Sequence, residues 1–138
     1  MFKFAGTRPT NLGVTDGKLT PCPASPNCVC SQTDAADTEH AIAPIAYTTS
    51  KEKAIANLKS IIQSMERTTL VTETSDYLYA EFATKLMGFV DDVEFYLSAG
   101  ESAIQVRSAS RLGKSDLGVN RQRIEAIRAQ FAILDRQG

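Results

Sequence analysis

All five prolines of this 138-residue chain (Pro9, Pro21, Pro23, Pro26 and Pro44) fall in its first 44 residues. Proline lacks the N–H that a helix interior or a central strand requires, so sustained regular structure is expected only beyond them. Residues 1–48 also carry Gly6, Gly13 and Gly17 and show no sustained helical or strand period. They are expected to form an irregular arm with a cysteine loop, packed against the rest as part of one domain. A hydrophobic fraction of 43% with 22% charged residues suits one packed core.

Residues 49–138 read as an α-β-β-β-β-α core. From Lys51 to Met65, Ala54, Ile55, Leu58, Ile61, Ile62 and Met65 recur at three- and four-residue spacing along one helical stripe. Thr49 and Glu52 form a capping-box signal at its start. Thr69–Thr74 and Tyr77–Thr84 are rich in β-branched and aromatic residues, with Ser75-Asp76 as the turn between them. Val93, Phe95 and Leu97 alternate with Glu94, Tyr96 and Ser98, and Gly100-Glu101 suits a two-residue turn. That turn sets Leu97 opposite Ile104, Phe95 opposite Val106 and Glu94 opposite Arg107. A polar loop from Ser110 to Gly118 leads to a helix ending near Leu134, with the apolar stripe Ile124, Ile127, Phe131 and Leu134. Asn120 is read as its N-cap, with Asp116 as the alternative. The expected fold is α+β: a four-stranded antiparallel meander with both helices on one face and a long irregular N-terminal segment.

The net charge of −1 argues against holding nucleic acid by bulk electrostatics. Arg107 to Arg128, however, holds six basic residues against two acidic ones, leaving about −5 for the rest of the chain. No apolar run approaches membrane-spanning length, and Met1–Gly6 lacks the apolar core of a secretory signal. The chain is therefore expected to be soluble and cytoplasmic, with any membrane association peripheral.

Three constellations could carry chemistry. Cys22, Cys28 and Cys30 stand in C-x5-C-x-C spacing. A disulfide from Cys22 to either later cysteine fits the proline-kinked loop, whereas metal binding lacks an evident fourth ligand besides His40, the sole histidine. The expectation is Cys22 within disulfide reach of Cys28, with no metal. In the strand that holds Asp91, Asp92 and Glu94, the adjacent aspartates point to opposite faces, which weakens a catalytic dyad and favours pairing with neighbouring basic residues. The third is the basic loop and helix start: Arg107, Ser108, Ser110, Arg111, Ser115, Asp116, Asn120, Arg121 and Arg123. Arginines at a helix N-terminus oppose its dipole, so either carboxylates or a bound anion should offset them. The expected arrangement is one polar network in which Asp116 and at least one of Asp91, Asp92 and Glu94 hold the arginines.

The Cys-Pro-x-Ser-Pro-Asn-Cys loop, the Phe-Val-Asp-Asp-Val-Glu-Phe strand and the Arg-Ser-x-Ser-Arg-x-Gly-x-Ser-Asp-x-Gly-x-Asn-Arg-x-Arg-Ile-Glu segment, in this order, resemble domain-of-unknown-function family 1499 over about residues 10–131. Cys30 departs from that pattern, which has serine there, so a role for its thiol would not extend to the family. The resemblance implies a shared domain and assigns no activity. Relatives occur in bacteria, photosynthetic ones among them, and in plastid-bearing eukaryotes, which implies photosynthetic-membrane association as one setting. The function expected is a non-catalytic binding or assembly module. Its partner would be an acidic protein surface, anionic headgroups or a small anionic molecule, with no nucleic acid and no cofactor. The alternative is an enzyme on a small anionic substrate, anchored by Arg107, Arg111, Arg121 and Arg123 with Asp91 or Asp116 as acid–base group. It lacks a nucleophile–base pair, and no catalytic residue is assigned.

Overall fold

The computed structural model describes residues 6–85, 88–113 and 115–138. Helix α1 (Lys51–Ser64) precedes the antiparallel strands β5 (Thr68–Glu73), β6 (Tyr77–Ala83), β7 (Val90–Leu97) and β8 (Ala103–Ser110), and helix α2 (Val119–Arg136) closes the chain. The arm contributes four short strands: β1 (Val14–Thr15), β2 (Lys18–Leu19), β3 (Cys28–Cys30) and β4 (Ile45–Ala46). The β1–β2 pair turns at Asp16 and Gly17, both with positive φ, as a tight hairpin turn requires.

A four-stranded meander is therefore corrected to a six-stranded sheet in the order β3-β8-β7-β6-β5, with β4 also paired to β8. Cys28, Val29 and Cys30 stand opposite Ala109, Ser108 and Arg107, and Ile45 stands opposite Ile104. The physical reason is the outer edge of β8. Without the arm it would present unpaired N–H and C=O groups in a row.

The register of the central hairpin is the expected one. Leu97 pairs with Ile104, Phe95 with Val106 and Glu94 with Arg107. These apolar residues join Leu78, Ala80 and Phe82 of β6, Leu58, Ile61 and Ile62 of α1, and Ile124, Ile127 and Phe131 of α2 in one core, with both helices on the same face of the sheet. The first stretch of the arm lies over the opposite face, where Arg8 reaches Glu81 at 2.7 Å and the Gly13 N–H donates to Glu94 at 2.7 Å.

Both helix starts differ in detail from expectation. Ser50, not Thr49, caps α1, its Oγ accepting from the Lys53 N–H at 3.0 Å. At α2 the Asp116 carboxylate accepts the N–H groups of Gly118 (2.9 Å) and Asn120 (3.1 Å), while Asn120 itself is buried within the first turn. The N-cap position itself is held by Gly118 in a left-handed conformation, so neither Asn120 nor Asp116 is the N-cap, and Asp116 makes its contacts from two residues before it.

Candidate functional site

The pleat of β7 and β8 sends neighbouring side chains to opposite faces, and this divides the expected single network into two. On the helix-facing side, Arg123 donates to Asp91 Oδ2 at 2.7 Å and to Asn120 Oδ1 at 2.9 Å, and its guanidinium stands 4.9 Å over the Phe82 ring. Ser108 donates to Asn120 Oδ1 at 2.6 Å, and Asn120 Nδ2 donates to Ser110 Oγ, Asp116 Oδ2 and the Asn27 carbonyl. Burial pushes the Asp91 carboxyl above the usual range, against the opposing pull of Arg123. Burial also acts to raise Asp116, yet the hydrogen bonds from Asn120 and the helix N–H groups outweigh it and hold this carboxyl below the usual range.

On the opposite face, Arg111 donates to Asp92 at 2.7 and 3.2 Å and to Glu81 at 2.8 Å, and Tyr79 donates to Asp92 at 2.5 Å. Hydrogen bonds from Arg8 and Arg111 hold Glu81 down at about 2, against partial burial. Arg107 stands 3.8 Å from Glu94, an ion pair without a direct hydrogen bond. Glu94 is fully buried and accepts from the Tyr77 hydroxyl at 2.6 Å and from the Gly13 N–H. Arg107, Arg111 and Arg123 are thus each set against carboxylates inside the domain. Arg121 differs, reaching the carbonyls of Thr38 and Glu39 at 3.3 and 3.2 Å near the surface.

What these networks hold outward is a loop. Of four large apolar residues exposed among the described residues, three lie here: Leu117 at 89%, Leu112 at 41% and Val119 at 37% exposure. Leu117 has φ +53°, a left-handed backbone that costs a branched side chain about 1 kcal/mol or more. Beside it opens a pocket of about 200 Å3 lined by Phe89, Asp91, Ser110, Leu112, Leu117 and Val119, among others. Ser115, also named from sequence, is exposed, its Oγ 3.5 Å from the Leu117 N–H. Lys114 lies outside the described residues.

The loop is clamped from behind by Asn27. Its carbonyl accepts the Ser110 N–H at 2.9 Å and its Nδ2 donates to the Gly113 carbonyl at 2.7 Å. Ser25 Oγ donates to Asn27 Oδ1 at 2.8 Å, and His40 Nε2 lies 2.9 Å from the Ser25 carbonyl. Ser25 and Asn27 sit inside a ring closed by the Cys22–Cys28 disulfide, with α-carbons 5.7 Å apart. Cys30 is a buried free thiol. Among the described residues no group of three or more His, Cys, Asp or Glu is arranged to hold a metal ion.

A family model described as protein of unknown function (DUF1499) matches residues 18–131. The chain belongs to the DUF1499 family. No curated protein and no solved structure matches it. In this DUF1499 chain all three motifs that carry the resemblance converge on one structure: the cysteine loop clamps the arginine-rich segment, and the acidic strand neutralises it. Sequence reasoning passed over Asn27, Glu81, Tyr77, Tyr79 and the exposed leucines. Asn27 had a signal, since a polar residue inside a proline-bracketed cysteine ring is placed to bond backbone. Among the described residues no helix is long and apolar enough to cross a membrane.

Proposed function

We propose that this DUF1499 chain is a non-catalytic binding module that docks peripherally on an anionic membrane surface through the loop that precedes α2 and the first turn of that helix. The observation that carries the reading is Leu117, which stands almost fully exposed on a strained backbone beside Leu112 and Val119. A rigid base of hydrogen bonds keeps these apolar side chains outward at a cost to the fold, which suits insertion at a headgroup–acyl boundary. Arg121 adjoins the loop, so a cation for headgroup phosphates accompanies the apolar tip. An acidic protein partner is supported less well, because three of the four arginines nominated for it already face carboxylates. The same pairing weakens the enzyme alternative, since it occupies the anchors of an anionic substrate.

The test is sedimentation with vesicles of phosphatidylcholine alone and of phosphatidylcholine mixed with phosphatidylglycerol. Binding is expected to the mixed vesicles and to weaken roughly 10- to 100-fold in Leu117→Asp, the equivalent of one leucine's burial. Failure to sediment with either vesicle overturns the reading.

A further inference from the structure

We infer that the cleft between the β1–β2 hairpin and the cysteine loop is a thiol–disulfide exchange site, where a small-molecule thiol or dithiol opens Cys22–Cys28 and loosens the 110–118 loop. The cleft holds about 520 Å3, within the roughly 300–1,000 Å3 typical of small-ligand sites. Cys22 and Cys30 both line it, with Lys18, Thr20, Gln32 and Thr33 around them. Cys22 is half-buried, whereas Cys28 is fully buried and does not line the cleft. An incoming thiolate therefore meets Cys22 Sγ and expels Cys28 Sγ. One S–S bond forms between the small thiol and Cys22 while the Cys22–Cys28 bond breaks. Cys28 leaves as a thiolate and takes up the proton that the attacking thiol released. A dithiol completes the reduction with its second sulfur, departing as a cyclic disulfide and leaving Cys22 and Cys28 as thiols. Cys30 does not begin this sequence, because burial pushes its thiol up and keeps it protonated. It lies two residues from Cys28 in β3, on the same strand face.

Opening the ring acts on the loop through residues already described. Ser25 and Asn27 lie within the disulfide-closed segment, and Asn27 holds Ser110 and Gly113. Release of the cross-link restores conformational freedom to the segment that positions Asn27. The consequence for docking rests on the membrane reading; the exchange chemistry does not.

The experiment uses the full chain, oxidised, and its Cys30→Ser variant, in glutathione and dithiothreitol under native conditions. Alkylation with mass spectrometry follows the sulfurs, hydrogen exchange follows the backbone, and vesicle sedimentation runs in parallel. The first glutathione adduct is expected on Cys22. The disulfide should open while exchange in β6 and β7 stays slow, and the Ser110 amide should exchange roughly tenfold faster. Asn27→Ala, with the disulfide intact, should also accelerate exchange across 110–118. A disulfide that opens only once β6 and β7 exchange, a first adduct on Cys28 or Cys30, or an unchanged Ser110 amide overturns the proposal. Faster Ser110 exchange with no vesicle binding in either redox state sinks the docking reading and leaves the exchange site standing. Vesicle binding with an unaffected Ser110 amide does the reverse.

Discussion

Arg123 and Arg121 lie two residues apart in α2 and differ in what surrounds them. Arg123 neutralises Asp91, a carboxylate 3% exposed, and packs over Phe82, so its removal strands a buried charge. Arg123→Ala should lower unfolding free energy by about 3–5 kcal/mol. Arg121→Ala, whose guanidinium meets carbonyl groups near the surface, should fall within about 0.5 kcal/mol of wild type. Urea titration of both variants is the check, and equal losses would contradict the division. Two titrating groups give opposite pH slopes. Glu81 is held at about 2 in the native state, from an ordinary 4.5, by Arg8 and Arg111. A depressed carboxylate contributes stability that is full above the unfolded value and lost as pH falls from about 4.5 towards 2. His40 is raised above 6.5, first by its contact with the Ser25 carbonyl and then by Asp37. A raised imidazole contributes stability that is full below about 6.5 and lost as pH rises through its native value. Urea midpoints across pH should thus show Glu81→Gln flattening the acid limb and His40→Gln the limb above neutrality, each leaving the other limb in place.

At the level of elements, the β7–β8 hairpin was legible because Val93, Phe95 and Leu97 alternate with Glu94, Tyr96 and Ser98 up to a glycine-first turn, and a one-residue slip would turn Phe95 and Leu97 to the other face. The arm strands were not legible for the converse reason. Strands of two or three residues carry no period, and β3 and β4 are specified by the open edge of β8, more than fifty residues away in the chain. The candidate site was half legible. Adjacent Asp91 and Asp92 were seen to face opposite ways, but the same pleat also parts Arg111 from Arg123, so one cluster in sequence becomes two in space. The exposed leucines gave no signal, because spacing alone does not say which loop side chains fold inward. The loop-to-α2 junction offers its own test. Leu117→Gly removes a side chain that packs on little and relieves a positive φ, so stability should hold or rise by up to about 1 kcal/mol. Vesicle binding should nevertheless fall. Asp116→Ala, which strips the contacts to Gly118 and Asn120, should cost about 1–2 kcal/mol. If Leu117→Gly melts well below wild type in calorimetry, Leu117 is holding the fold rather than a docking surface.

Over the whole molecule, the arm behaves as part of the interior rather than as an appendage. Leu19, Val29, Ile42, Ile45 and Tyr47 are all buried, and four of them belong to the same core cluster as the helices. At about 1.5–3 kcal/mol for each buried side chain, these five account for roughly 8–15 kcal/mol of burial, comparable to the entire stability of an ordinary domain. Their loss would also bare the outer edge of β8 and leave Glu94 and Glu81 without the Gly13 and Arg8 contacts. A chain of residues 49–138, although it contains both helices and the whole central meander, should therefore fail to form a monomeric native state. Size-exclusion chromatography should show aggregate or an expanded chain, and near-ultraviolet circular dichroism should lack the fixed tyrosine environment of the full chain. A compact monomer with native-like tyrosine signal would mean that the meander and helices are self-sufficient, with β3 and β4 added to an already stable edge. In that event the arm would be free to serve partner contacts without cost to the fold, and the cysteine ring would lose its hold on the loop that it is argued to govern.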